Sequence, residues 1–151
     1  GALKMRTKKY IIRRFIGKYE FLSNFYPCEI KYKGLVFKST EAAYQAQKTN
    51  IFYEQRAFQG YTPEQAKRAG RRVSLRKDWE NIKDRVMLDL IRIKFRDPFL
   101  AAELIKTYPA LLIEGNYWND KYWGVCLKTN IGENHLGKIL MQVRKELMKN
   151  E

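Results

Sequence analysis

The chain has 151 residues, with 30 Lys plus Arg against 16 Asp plus Glu, and its formal net charge of +14 attracts polyanions such as nucleic acid or phosphorylated small molecules when it does not merely serve solubility. That length suits one domain that buries a core without staples; no apolar run approaches the roughly 18–20 residues of a membrane span and no secretory signal pattern is visible, so a soluble, cytoplasmic protein is expected. Cys28 and Cys126 stand far apart and His135 is the only histidine, which argues against a disulfide framework, a clustered metal site and Ser-His-Asp or Cys-His catalysis, and leaves carboxylates, lysines and phenols.

Gly1-Ala2-Leu3 ahead of Met5 reads as a cloning remnant, so the domain is taken as residues 5–151 and residues 1–4 as that remnant or a disordered start. Basic residues are densest from Arg6 to Arg14 and from Lys67 to Lys77. Residues 8–16 and 29–38 read as short strands, the second carrying Ile30, Tyr32, Leu35 and Phe37 around a Lys33-Gly34 turn. Between them lies an aromatic loop, "FLSNFYPCEI", broken by Pro27.

"STEAAYQAQK" predicts a helix over about 40–50, with Ser39 or Thr40 as cap and Glu41 in the first turn. At about 100° per residue, Glu41, Tyr44, Gln45 and Lys48 share one arc while Ala42, Ala43 and Ala46 share another face. Such a polar arc is either solvated or a site. "TPEQAKRAG" carries a Thr62 cap, Pro63 at the first helical position and Gly70 at the end.

Asp78 reads as the cap of a core helix with Ile82, Val86, Leu90 and Ile93 at helical spacing, stopped by Asp97-Pro98. Leu100, Leu104 and Ile105 form a short stripe before Pro109, and residues 110–114 a buried strand. Leu136, Ile139, Leu140, Val143 and Leu147 predict an amphipathic final helix that closes the core. The sum is a single α+β domain, mostly helical, with a small antiparallel β element.

Two segments carry chemistry-bearing residues beyond the first helix. "EGNYWNDKYWGV" gathers Tyr117, Trp118, Tyr122 and Trp123 around Asn119-Asp120, as flat walls for a base or sugar beside a carboxylate or as a loop pinned by core aromatics. Trp79, just after Arg76 and Lys77, reads either as a stacking ring beside phosphate-binding cations or as a helix boundary residue. "GENHLGKI" imitates a phosphate-binding loop, but Ile139 stands where magnesium needs Ser or Thr; a turn before the last helix is expected there, with Asn134 as a site-side amide.

In their order, "FLSNFYP", "STEAAYQAQK", "LRKDWENIKDRVM", "NYWNDKYWG" and "GENHLGKILMQVR" resemble the NADAR family, also called YbiA-like, from about Phe15 to the C-terminal helix. The resemblance implies an N-glycosidase without metal or cofactor that cleaves ribose from an exocyclic nitrogen. It implies as substrate either ADP-ribose on guanine in DNA, reversing a DarT-type toxin, or an early phosphorylated riboflavin intermediate. Matched to the motifs, Glu41, Lys48 and Asp120 become the catalytic residues and Trp79 and Trp123 aromatic contacts; Asn24, Tyr44, Gln45, Arg76, Trp118, Gly124 and Asn134 complete the expected substrate-binding set. After "YWG" the chain continues "VCLKTNIGEN" where riboflavin-linked members carry a glycine-rich loop, and the positive charge suits single-stranded or unstacked DNA, so removal of ADP-ribose from guanine is the first reading. The alternatives are the small phosphorylated N-riboside and a non-catalytic reader of ADP-ribose, NAD or nucleic acid. Neither a membrane partner nor a particular oligomeric state is implied.

Overall fold

The computed structural model describes residues 10–150, so residues 1–9, including the expected remnant and the start of the first strand, lie outside the description. Among the described residues, six short strands and six α-helices surround one core. The strands are β1 (Ile11–Ile12), β2 (Pro27–Tyr32), β3 (Leu35–Ser39), β4 (Leu111–Leu112), β5 (Gly115–Asn116) and β6 (Val125–Cys126). The helices are α1 (Thr40–Ala46), α2 (Phe52–Ala57), α3 (Pro63–Ala69), α4 (Trp79–Lys94), α5 (Pro98–Lys106) and α6 (His135–Lys149).

The antiparallel element is the β2–β3 hairpin, with Ile30 opposite Phe37 and Tyr32 opposite Leu35. Its turn residues Lys33 and Gly34 have φ of 48° and 83°, the left-handed pair that matches the twist of a two-residue hairpin. The expected strand over 8–16 contracts to Ile11–Ile12 within the described residues. Its partner is the distant β4, paired parallel, and β5 pairs parallel with β6. Parallel partners, whether a hundred residues apart or ten, are not joined by a hairpin turn and leave no hairpin signal, so only the antiparallel pair was expected.

Helix α1 is central and buried throughout. Ser39 accepts from Ala42 N at 3.0 Å as its cap, and the fully buried Ala42, Ala43 and Ala46 let α3 and α4 pack close to its axis. The helix stops at Ala46, earlier than expected, because the chain turns at Gln47: Lys48 O leaves the helical ladder and accepts from Arg76 N at 2.7 Å.

Helix α3 begins with a complete capping box between Thr62 and Gln65 and has Pro63 at its first position. Asp78 does precede α4, but its carboxylate makes no cap bond, because Arg76 takes both its oxygens at 2.6 and 3.1 Å. Asp97, expected to stop α4, caps α5 by accepting from Leu100 N at 3.0 Å. Helix α2 was not anticipated: Ile51 offers no cap and the helix buries no residue fully, so it has neither start signal nor apolar stripe.

Helix α6 closes the core with Leu136, Leu140 and Val143 against α4, α5 and β4. Gly137 allows this closeness, since a Cβ there would overlap the Leu112 carbonyl oxygen and the Asn134 amide. Gly137→Ala is therefore expected to destabilise the fold by about 1–3 kcal/mol, the ordinary cost of overpacking. A urea-unfolding midpoint equal to that of the wild type would contradict the close α6–β4 contact.

Candidate active site

Three carboxyls and three cations line one cavity of about 420 Å³ formed by α1, the 23–25 loop, α3 and the 114–123 segment: Glu41, Glu114 and Asp120 with Arg14, Lys48 and Lys67. Among the described residues, no ion pair joins any of these cations to any of these carboxylates. The polar arc of α1 is thus turned into the protein and is not a solvated face.

Glu41 is 8% exposed. Its Oε2 accepts from Gln45 Nε2 at 2.7 Å, one helical turn on, and its backbone N–H donates to Asn24 O at 3.0 Å. Burial pushes its carboxyl above the ordinary carboxylate range, against the lowering effect of the Gln45 bond, Lys67 and Lys48. Lys48 follows α1 in the turn and is half-buried; burial pulls its amine down, with Arg71 and Lys83 adding to the effect and Glu41 opposing it. A desolvated carboxyl that holds its proton more tightly faces the same space as an amine that gives one up more readily.

The second half of the site is a loop built on itself. Asn116, fully buried, donates from Nδ2 to Glu114 Oε2 and to Asp120 O, both at 2.9 Å, and accepts Asp120 N at 3.0 Å. Asp120 Oδ1 in turn accepts from Trp123 N at 2.9 Å and Tyr122 N at 3.1 Å. These bonds fix the bend at Asn119, whose φ is 68°. Glu114 is pushed up to about 7, mainly by burial, with Asp120 adding to the effect.

Sequence reading overlooked Glu114. Its one signal lay in Gly124: a Cβ there would strike the Glu114 carboxylate and carbonyl, so the glycine makes room for the acid and does not itself line the cavity.

Of the residues expected at the site, Asn24, Glu41, Tyr44, Gln45, Lys48, Trp118, Asp120 and Trp123 line the cavity, and four do not. Trp79 is a core residue, 4% exposed, with its ring 5.1 Å from that of Tyr44, so it buttresses a wall from behind. Arg76 is spent on Asp78. Asn134 accepts from Glu114 N at 3.0 Å and donates to Leu112 O at 2.9 Å, which makes it a fastener of the Glu114 backbone. Gly124 acts as just described.

The aromatic walls differ in character. Trp123 is half-buried, edge-on to Tyr44 at 5.5 Å, whereas Trp118 is 57% exposed at the mouth with Lys67 Nζ 5.2 Å from its ring centre. Behind the 23–25 loop, the buried Lys94 donates to Ser23 O at 2.9 Å and holds that loop to α4. Asn24, which lines the cavity, keeps a buried Oδ1 without a donor among the described residues. Among the described residues no three His, Cys, Asp or Glu side chains are grouped to hold a metal ion, and no helix is long and apolar enough to cross a membrane.

A family model described as the NADAR domain matches residues 12–148. The N-glycosidase YbiA of Escherichia coli K12 is 38% identical over 133 residues, which cover 85% of this chain and 82% of that protein. An N-glycosidase of Nostoc punctiforme is 36% identical over 136 residues, with 85% and 86% covered. A riboflavin biosynthesis protein of Vibrio vulnificus is 37% identical over 134 residues, but this chain spans only 36% of its length. The NMR structure of E. coli YbiA superposes with a TM-score of 0.80 at 32% identity, over 95% of this chain and 90% of that one.

The Glu114 environment sets a pH dependence whose sign is fixed. With a folded value of about 7 against an ordinary 4.5, Glu114 favours the folded state fully below 4.5, and that contribution is lost as pH rises toward 7. Glu114→Gln is therefore expected to flatten the fall of the melting temperature between about pH 4.5 and 7. Parallel melting curves for variant and wild type across that window would show that Glu114 is not desolvated.

Proposed function

We propose, from the premise that this chain belongs to the NADAR family and is an N-glycosidase, that it removes ADP-ribose from the exocyclic nitrogen of guanine in DNA. The observation that carries the chemistry is the convergence of Glu41 and Lys48, both desolvated and unpaired with each other, on one cavity with Glu114 and Asp120. The choice of DNA rests on the net charge of +14 and on the exposed Trp118 at the cavity mouth, a surface on which an unstacked base can lie.

The reaction exchanges one amine for another. Glu41 donates its proton to the ribose ring oxygen, the ring opens, and an imine forms between C1′ and the base nitrogen. Lys48 Nζ in its neutral form adds to C1′; the C1′–base bond then breaks as the leaving amine takes a proton, leaving a Schiff base on Lys48. Water adds to that imine, the C1′–Lys48 bond breaks, and the released sugar recloses. Glu114, held at about 7, both gives and takes protons near neutrality, while Asp120, oriented by two backbone N–H groups, is placed to stabilise the cationic imine.

A second reading keeps the bond cleavage and changes the substrate to a small phosphorylated N-riboside. It is favoured by the Vibrio relative, whose name places it in riboflavin biosynthesis.

The test offers the purified protein a single-stranded oligonucleotide bearing ADP-ribosylated guanine beside a ribosylaminouracil phosphate and follows release by chromatography. Restoration of the plain oligonucleotide is expected, slowed at least about 100-fold by Glu41→Gln and by Lys48→Ala, with borohydride trapping the sugar on Lys48. Cleavage of the small riboside alone would establish the second reading. Binding without release from either substrate, or full activity in Glu41→Gln, would leave a reader of ADP-ribose and overturn the catalytic assignment.

A further inference from the structure

Arg14 stands between two cavities with its guanidinium unspent. Two residues beyond β1, it lines the catalytic cavity and also a neighbouring one of about 620 Å³. Its Nε is buried and has no acceptor among the described residues, and its Cζ lies 5.1 Å from the centre of the Tyr117 ring. A ring face orients a guanidinium by cation–π attraction but does not satisfy its N–H groups. A buried donor on a permanent cation is costly unless an acceptor arrives, and the acceptor that suits the guanidinium fork is a phosphate or carboxylate.

The neighbouring cavity selects between these by charge. Among the described residues, Arg13, Lys18 and Lys106 line it against the carboxylate of Glu103; Lys106 pairs with Glu103 at 2.9 Å and Lys18 Nζ lies 5.1 Å from the centre of the Tyr19 ring, so no carboxylate takes Arg13 or Lys18. Lys67, at the catalytic mouth, sits among the Phe25 and Trp118 rings and acts on Glu41 and Glu114 through space, on the side of the cavity away from that second set of cations. The anion site therefore lies on the Arg14 side.

We propose that Arg14, with Arg13 and Lys18 on the wall of the second cavity, binds the phosphate groups that the substrate carries beside the ribosyl unit seated in the catalytic cavity. This rests on the reading of that cavity as a ribosyl site and adds which residues hold the phosphates of its ligand, whether a diphosphate bridge or a phosphodiester of the surrounding strand. Arg14 takes no part in the proton transfers assigned to Glu41, Lys48 and Glu114; it fixes where the ribose lies.

Calorimetric titration with ADP-ribose, inorganic pyrophosphate, adenosine and a short unmodified single-stranded oligonucleotide tests the assignment in wild type, Arg14→Ala, Arg14→Gln and Arg14→Lys. ADP-ribose is expected to bind wild type, to be displaced by pyrophosphate, and to weaken by about tenfold or more in Arg14→Ala and Arg14→Gln. Arg14→Lys keeps the charge without the fork and falls between. Arg14→Gln preserves the stem against Tyr117, so a loss shared by both neutral variants, with melting temperatures like the wild type, excludes unfolding as its cause. Adenosine, without phosphate, binds wild type and variants alike. Weakening of the oligonucleotide rather than ADP-ribose identifies the strand as the phosphate source. Equal affinity for both phosphate ligands in wild type and Arg14→Gln, or no binding of either by wild type, overturns the proposal. Binding that depends on Arg14, together with no base release in the turnover assay, would sink the proposed reaction and leave the phosphate site standing.

Discussion

The burial of Glu41 is the constraint around which the rest of the molecule is arranged. A carboxyl in the first turn of a helix is ordinarily cheap, since it meets the positive end of the dipole in water. Here the helix lies in the middle of the fold, so the acid comes with it, and the surroundings are those that make this tolerable. Gln45 supplies a hydrogen bond one turn away, the flanking alanines surrender volume to neighbouring helices, and Asn24 O anchors the backbone. None of these donors is a bonded cation, and without one the carboxyl is driven toward its protonated form.

The second half of the site answers the same problem with a self-braced loop. Asn116 holds both Glu114 and the Asp120 backbone, Asp120 holds the backbone ahead of Trp123, and Asn134 holds Glu114 from the first residues before α6. Acids in one cavity therefore meet different partners: Glu41 a side-chain amide, Glu114 a side-chain amide and a close glycine, Asp120 two backbone N–H groups. Such differences give the carboxyls of one cavity unlike environments. Packed elements support the site, and Trp79, behind the Tyr44 ring that lines the cavity, ties it to the core.

Local signals in the sequence were read correctly where the physics is local. The Thr62–Gln65 capping box, the Lys33-Gly34 turn and the apolar stripe of α6 each depend on residues within a few positions. Long-range partners were invisible for the complementary reason. β1 pairs with β4 a hundred residues away in the chain, Asp78 is diverted from its cap by Arg76, and Lys48 leaves the helical arc because its carbonyl bonds Arg76 N. Eight of the twelve expected residues line one cavity, but neither motif nor helical spacing distinguishes lining from support, so Trp79, Arg76, Gly124 and Asn134 stand elsewhere. Glu114 escaped because an isolated glutamate after an apolar strand has no signature; only the glycine ten positions on records the space it needs.

The most direct measurement is the titration of the Glu41 carboxyl itself, followed by its ¹³C resonance in labelled protein and assigned by its disappearance in Glu41→Gln. The burial of Glu41 predicts a midpoint above the ordinary 4.5. A midpoint at or below 4.5 would mean that a cation or water neutralises the site, and the proton donor would have to be sought elsewhere.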